Sequence, residues 1–174
     1  MLSEGTASAD WAASGRVAAT PNDAGTVPEA SWLLCRAGAH RYAIPIGHVI
    51  ETMRVLPIET IAGAPSYVRG LCVIRGAPVP VVDGGLLLGG QPTQAGRLIA
   101  IRAGSRTVAL AVEAVEGIRT IGPEAFNQLP PLLRDAATIA AVGILDAELL
   151  LFLRTARIVP DDLRVGPDAA AATP

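Results

Sequence analysis

Lysine is absent from this chain, and its fourteen basic side chains, all arginine, face sixteen acids, for a formal charge of −2. A protein that grips a phosphate backbone needs a basic excess, so the balance gives no electrostatic case for nucleic acid. Aromatics make up 3% of the residues, which leaves little material for stacking bases and obliges the core to come from Val, Ile, Leu and Ala. The two cysteines, Cys35 and Cys72, sit in apolar runs without paired spacing. Neither a disulfide framework nor a zinc site follows, and a reducing cytoplasm is the expected compartment. Long apolar runs are missing too: 136–153 is broken by Asp146 and Glu148 and falls short of the ~20 residues of a membrane helix. The opening MLSEGTASAD has an acid at Glu4 and no apolar h-region, so it does not read as a secretory signal.

The signatures of common catalysis are also wanting. No G-x-S-x-G, P-loop or post-strand G-x-G-x-x-G occurs, and acyl transfer, phosphoryl transfer and dinucleotide binding lose their usual marks. His40 and His48 are the only imidazoles, and neither stands at metal-ligand spacing from another ligating residue. A thiol inside an apolar strand is more often inert packing than a nucleophile. The expectation is a protein without catalysis, cofactor or metal.

What the chain does have is 51% hydrophobic residues, with eighteen glycines and fourteen prolines. Gly and Pro together reach about 18% against a usual ~12%, the composition of many short elements joined by tight turns. Residues 1–30 show no period of 2 or 3.6 and read as a disordered leader, with Trp11 a stray aromatic; 164–174 reads as a frayed tail. The 174 residues therefore reduce to one domain over 31–163. Its apolar runs, at 32–36, 42–45, 47–56, 70–74, 79–82, 98–102, 107–112, 115–121, 139–145 and 149–153, predict about ten strands and an all-β fold. Gly-containing turns at 37–41, 75–78 and 103–106 predict hairpins. The first half reads as a compact barrel of about five strands, and the second as a similar unit. Gly84-Gly85-Leu86-Leu87-Leu88 allows only a short helical turn. Segment 123–136 reads as loop and short helix, and 155–163 as a closing helical turn.

The most informative stretch is 61–88, IAGAPSYVRGLCVIRGAPVPVVDGGLLL. Gly70 suits a close backbone approach at a strand start, and Gly76 a turn position with φ > 0. Pro78 and Pro80, two apart, put both missing donors on one strand edge, so this segment is expected at an edge or in irregular pairing. The Asp83 carboxylate is placed to cap the following turn. Arg75 has no such local role.

An apolar-Gly run, an Arg-Gly turn and a Pro-Val-Val-Asp strand in this order resemble the chemotaxis coupling proteins, the CheW-like domain family. The resemblance extends upstream through Tyr42-Ala43-Ile44-Pro45-Ile46 and Val49-Ile50-Glu51, and downstream through 108–115 and 143–159, covering about 31–163. It implies two interlocked five-stranded, SH3-like β-barrel subdomains with short connecting and C-terminal helices. It also implies a non-enzymatic cytoplasmic adaptor that couples the cytoplasmic tip of methyl-accepting chemoreceptors to the regulatory domain of a chemotaxis histidine kinase in signalling arrays. The family's motif positions fall on Val49, Glu51, Gly70, Arg75, Gly76, Pro80, Val82 and Asp83, the expected partner-binding residues. Two positions depart from the family's habit: Val73 stands where Asn is common, and Gly84-Gly85 replaces Leu-Arg, a change expected to loosen a contact surface.

Each of these residues also has a plainer role. Val49 is equally suited to the core or to an exposed apolar contact. Glu51 and Arg75 can form a surface ion pair with each other, although Arg is enriched at binding hot spots. Two other functions stay open: a divergent adaptor of a non-motility chemosensory pathway, and a generic SH3-like binding module. The second is poorly served by so few aromatics.

Overall fold

The computed structural model describes residues 30–127, 131 and 138–158; the expected leader with Trp11, the tail, and most of the 128–137 connection lie outside the described residues. Eleven strands form, in chain order β1 (Ala30–Ala37), β2 (His40–Pro45), β3 (Val49–Met53), β4 (Val68–Ile74), β5 (Ala77–Asp83), β6 (Arg97–Ala103), β7 (Arg106–Val112), β8 (Ala114–Ile121), β9 (Phe126–Asn127), β10 (Ile139–Leu145) and β11 (Glu148–Leu153). The single short α-helix described, α1 (Gly84–Leu87), follows β5, and 3-10 turns occupy Ile46–His48, Pro123–Ala125 and Thr155–Arg157. Each of the ten apolar runs becomes a strand. The eleventh, β9, has two residues and lacks the length to show a period.

The strands make two sheets, ordered β8-β1-β2-β11-β10-β9 and β3-β6-β7-β5-β4. This corrects the division into first and second halves: the β1–β2 hairpin joins the C-terminal strands, and β6–β7 joins the earlier ones. Local hairpin signals do not say which sheet a hairpin enters. That choice is made by two parallel pairings, β2 with β11 and β5 with β7, which the antiparallel hairpin pattern cannot forecast. One sheet has six strands rather than five. In the five-stranded sheet the end strands β3 and β4 do not pair; an isolated bridge between Glu59 and Leu71 stands in for closure.

Strand residues alternate between a shared core and a private one. In β6, Ile99 and Ile101 enter the shared cluster while Leu98 and Ala100 enter the interior of the five-stranded sheet. In β1, Leu33, Cys35 and Ala37 face the shared cluster, and Trp32 and Leu34 face the interior of the six-stranded sheet. Strands buried on both faces read as continuous apolar runs rather than alternating ones. The scarce aromatics are concentrated: Trp32, Phe126 and Phe152 pack with ring centroids 4.3–5.7 Å apart inside the six-stranded sheet. Such pairs add about 0.5–1.5 kcal/mol each beyond area burial. The other interior is filled by Ala100, Ala109, Ala111 and aliphatic side chains.

Candidate partner-binding site

Arg75 and Gly76 form the two-residue turn between β4 and β5, with φ of +50° and +80°. Two positive φ values are what a twisted hairpin demands, and glycine meets the second without strain. Arg75 accepts a conformation that disfavours a side chain, by about 1–3 kcal/mol. Its guanidinium turns back to Glu51 on β3: Nε donates to Oε1 at 2.7 Å and Nη2 to Oε2 at 3.2 Å. Because β3 and β4 are the two ends of the sheet, this fork spans the gap between them, alongside the Glu59–Leu71 bridge. The hydrogen bond from Arg75 holds the Glu51 carboxyl below its usual range, and the same bond pushes the guanidinium up. Arg75 remains 78% exposed, so solvent screens the pair and it contributes little to stability. Glu51 takes two of five guanidinium N–H donors; the others are open to a partner.

The remaining motif residues lie at different depths. Gly76 and Pro80 are at or near the surface, and Val49 is half-buried against the shared core. Gly70, Val82 and Asp83 are buried, so they shape the surface without presenting side chains to it. Gly70 has φ +142°, and a Cβ there would stand 2.0 Å from the Glu59 carbonyl oxygen. The close backbone approach is the Glu59–Leu71 bridge. Val82 is opposite Val68 and in parallel register with Leu110. Pro78 and Pro80 sit at alternate positions that face away from β4, by the alternation that begins at the Ile74–Ala77 pair. Pairing to β7 starts only at Val81, past both prolines, which is how an interior strand tolerates them.

Asp83 is 1% exposed and fully engaged. Its carboxylate accepts from Gly85 N at 2.9 Å and Leu86 N at 3.1 Å, the cap of α1, and from Thr93 N at 3.0 Å. Arg69 donates to it from Nε at 2.8 Å and Nη2 at 2.6 Å, and Arg69 Nη2 also donates to the Thr93 carbonyl. Burial works to raise the Asp83 pKa, but the hydrogen bonds from Leu86, Arg69 and Thr93 outweigh it and hold the carboxyl below its usual value. Gly84 and Gly85 are buried beside this hub. A Cβ on Gly85 would stand 2.1 Å from the Gln91 carbonyl oxygen, and one on Gly84 2.9 Å from that of Ala111. The double glycine is therefore a packing requirement, Gly85 under the 91–93 segment and Gly84 against β7 and Ala37, not a loosened outer surface.

Val73 and Pro78, noted in the sequence as a departure from the family's habit and as a proline lacking its donor but not as contact residues, face each other across the hairpin next to Arg75, Val73 being 65% exposed. The signal was available: with Cys72 and Ile74 inward, a period of 2 turns Val73 outward. Arg69, quoted within the motif but given no role, is the partner of Asp83. Elsewhere, Arg36 on β1 and Arg41 on β2 share Glu116 of β8, and Arg36 reaches Glu148 at 2.9 Å, an ionic cluster that ties four strands of the six-stranded sheet. Burial pushes the Cys35 thiol up to about 12 and raises Cys72 as well. Among the described residues no three His, Cys, Asp or Glu side chains gather as a metal site requires, and no helix is long and apolar enough to cross a membrane.

The CheW-like domain family matches residues 31–162. A chemotaxis protein CheW from Rhizobium meliloti is 32% identical over 116 residues, covering 65% of this chain and 75% of that protein. Protein FrzA of Myxococcus xanthus is 30% identical over 123 residues, 69% of this chain and 76% of its own. Among solved structures, the scaffolding protein TtCheW from Thermoanaerobacter tengcongensis superimposes with a TM-score of 0.66 at 20% identity, covering 73% of this chain and 90% of that one. At that identity the likeness concerns the fold alone, and it agrees with the two-sheet all-β architecture. The chain belongs to the CheW-like domain family.

Proposed function

We propose that the chain is a cytoplasmic adaptor of a chemosensory pathway that holds the cytoplasmic tip of a methyl-accepting chemoreceptor and the regulatory domain of a chemotaxis histidine kinase in one assembly, transforming no substrate. The observation that carries this reading is the Arg75–Glu51 fork: an exposed arginine in a strained turn, flanked by outward apolar Val73 and Pro78, in a chain whose family contains chemotaxis and scaffolding proteins. Arginine beside apolar side chains is the composition of an interface hot spot. Glu51, Arg75, Gly76 and Pro80 make the contact, and Val49, Gly70, Val82 and Asp83 hold it in shape. A generic polyproline module is disfavoured because Trp32, Tyr42 and Phe152 are buried, leaving no aromatic groove from them. Signalling follows if the two partners contact the adaptor differently in kinase-on and kinase-off arrangements, since the adaptor then transmits that difference as coupling energy.

The test is Arg75→Glu, alone and combined with Glu51→Arg, with binding to a receptor-tip fragment and to the kinase regulatory domain measured separately. Arg75→Glu is expected to weaken at least one affinity about tenfold or more. The double swap restores the intramolecular pair but not the binding. Unchanged affinities in a folded Arg75→Glu protein, or full recovery in the swap, refute the assignment.

A further inference from the structure

Arg36, Arg41, Arg69 and Arg75 are each held by a carboxylate. Arg102, Arg154 and Arg157 are exposed and make no side-chain hydrogen bond or ion pair among the described residues. The fold brings these three to one end of the molecule. Val49 lies opposite Ile101 in the β3–β6 register, so the preceding His48 falls beside Arg102. His48 Nδ1 is 2.5 Å from Thr155 Oγ1, which seats the Thr155–Arg157 turn at the same place, and this turn packs on β6. Burial, and then the Arg102 charge, lowers the His48 pKa, which agrees with the side chains being neighbours. Thr155 and Ile158 face inward, 3% and 0% exposed. Arg154, the extended residue that caps this turn, and Arg157, its last residue, are both exposed beside them.

A fourth feature adjoins them. The register of β3 on β6 slips between Val49 and Glu51, leaving Ile50 without a cross-strand partner, and Ile50 is 44% exposed. Such a bulge re-aims a side chain away from the ladder. An apolar knob thus stands two residues along the strand from His48, at the margin of a cationic surface on a chain whose net charge is negative.

We propose that the end of the molecule formed by His48, Ile50, Arg102, Arg154 and Arg157 is a docking surface for an acidic amphipathic segment of a partner protein, its carboxylates on the arginines and an apolar side chain over Ile50. Charge complementarity argues for the acidic segment. Nucleic acid lacks an aromatic on this surface to stack against, and a membrane interface is engaged by a broad apolar face rather than one isoleucine. The surface is separate in its residues from the Arg75 turn, and the proposal stands whether or not that turn meets a kinase or a receptor.

The probe is a fluorescein-labelled synthetic helix with glutamates along one flank and leucines along its seam, titrated by anisotropy with the full chain at low and physiological salt. Arg102→Ala/Arg154→Ala/Arg157→Ala is expected to weaken binding about tenfold and to flatten its salt dependence. Arg54→Ala/Arg97→Ala/Arg119→Ala, which removes the same charge elsewhere, is expected to change affinity less than about twofold. Ile50→Ser is expected to weaken binding without altering the salt slope. The proposal is overturned by equal losses in the two triple variants, by a parent that fails to bind the peptide, or by a parent that binds phosphatidylglycerol vesicles or single-stranded DNA in its place.

Discussion

Replacing Gly70 by alanine tests how the candidate surface is held. The added Cβ would meet the Glu59 carbonyl oxygen at 2.0 Å and its carbon at 2.7 Å, both backbone atoms. Relief requires the 59–60 segment to withdraw, breaking two backbone hydrogen bonds of 2.8 Å, Glu59 N to Leu71 O and Leu71 N to Glu59 O. At about 0.5–1.5 kcal/mol each these are worth ~1–3 kcal/mol. A side chain at φ +142° adds strain of ~1–3 kcal/mol, so the total loss is about 2–6 kcal/mol. Gly76→Ala supplies the control: φ is +80° but nothing lies within 4 Å of the new atom, leaving only the strain, about 1 kcal/mol. Urea denaturation with unchanged m-values measures both, and hydrogen exchange at the Leu71 amide locates the damage. The expected result is a Gly70→Ala loss at least ~1 kcal/mol greater than that of Gly76→Ala, with Leu71 deprotected selectively. Equal losses, or a protected Leu71 amide in Gly70→Ala, refute the argument from close approach.

Asp83→Ala removes the acceptor of the α1 cap and of Thr93 N and leaves Arg69 without its carboxylate, so a loss of about 3–5 kcal/mol is expected in chemical denaturation. The Asp83 pKa is lowered in the folded chain, so between the folded and unfolded values the unfolded state holds more protons and stability rises with pH. The contribution is full above the unfolded carboxyl pKa and is lost as pH falls through the folded one; Asp83→Asn is expected to flatten that acid limb, and an unaltered limb contradicts the assignment. Cys35, pushed up to about 12, and Cys72, also raised, are both buried. Native chain is therefore expected to resist a thiol reagent at about pH 8 while denatured chain reacts; a fast native thiol is the opposing result.

Strand positions were legible because doubly buried strands are long apolar runs punctuated by glycine turns, and 98–102, for one, becomes β6 with only its ends extended. Sheet membership was not, because a hairpin such as Ala30–Pro45 carries no mark of the β11 strand that it meets in parallel. At the site, the Asp83 cap and the Gly76 turn followed from local chemistry. The Arg75–Glu51 pairing appeared in the sequence only as one of two roles, since nothing along the chain says that the ends of the sheet curl near enough for the Arg75 side chain, in the turn after β4, to reach Glu51 on β3. Burial of Val82 and Asp83 was equally hidden: an aspartate next to two glycines looks like surface until the 91–93 segment is seen folded over it.

The adaptor role is tested most directly by mixing the purified chain with a receptor-tip fragment and a kinase regulatory domain and following all three by analytical ultracentrifugation. A single faster-sedimenting species containing every component, lost with Arg75→Glu, is the predicted outcome. Receptor fragment and kinase domain that remain in separate species at saturating adaptor would contradict it.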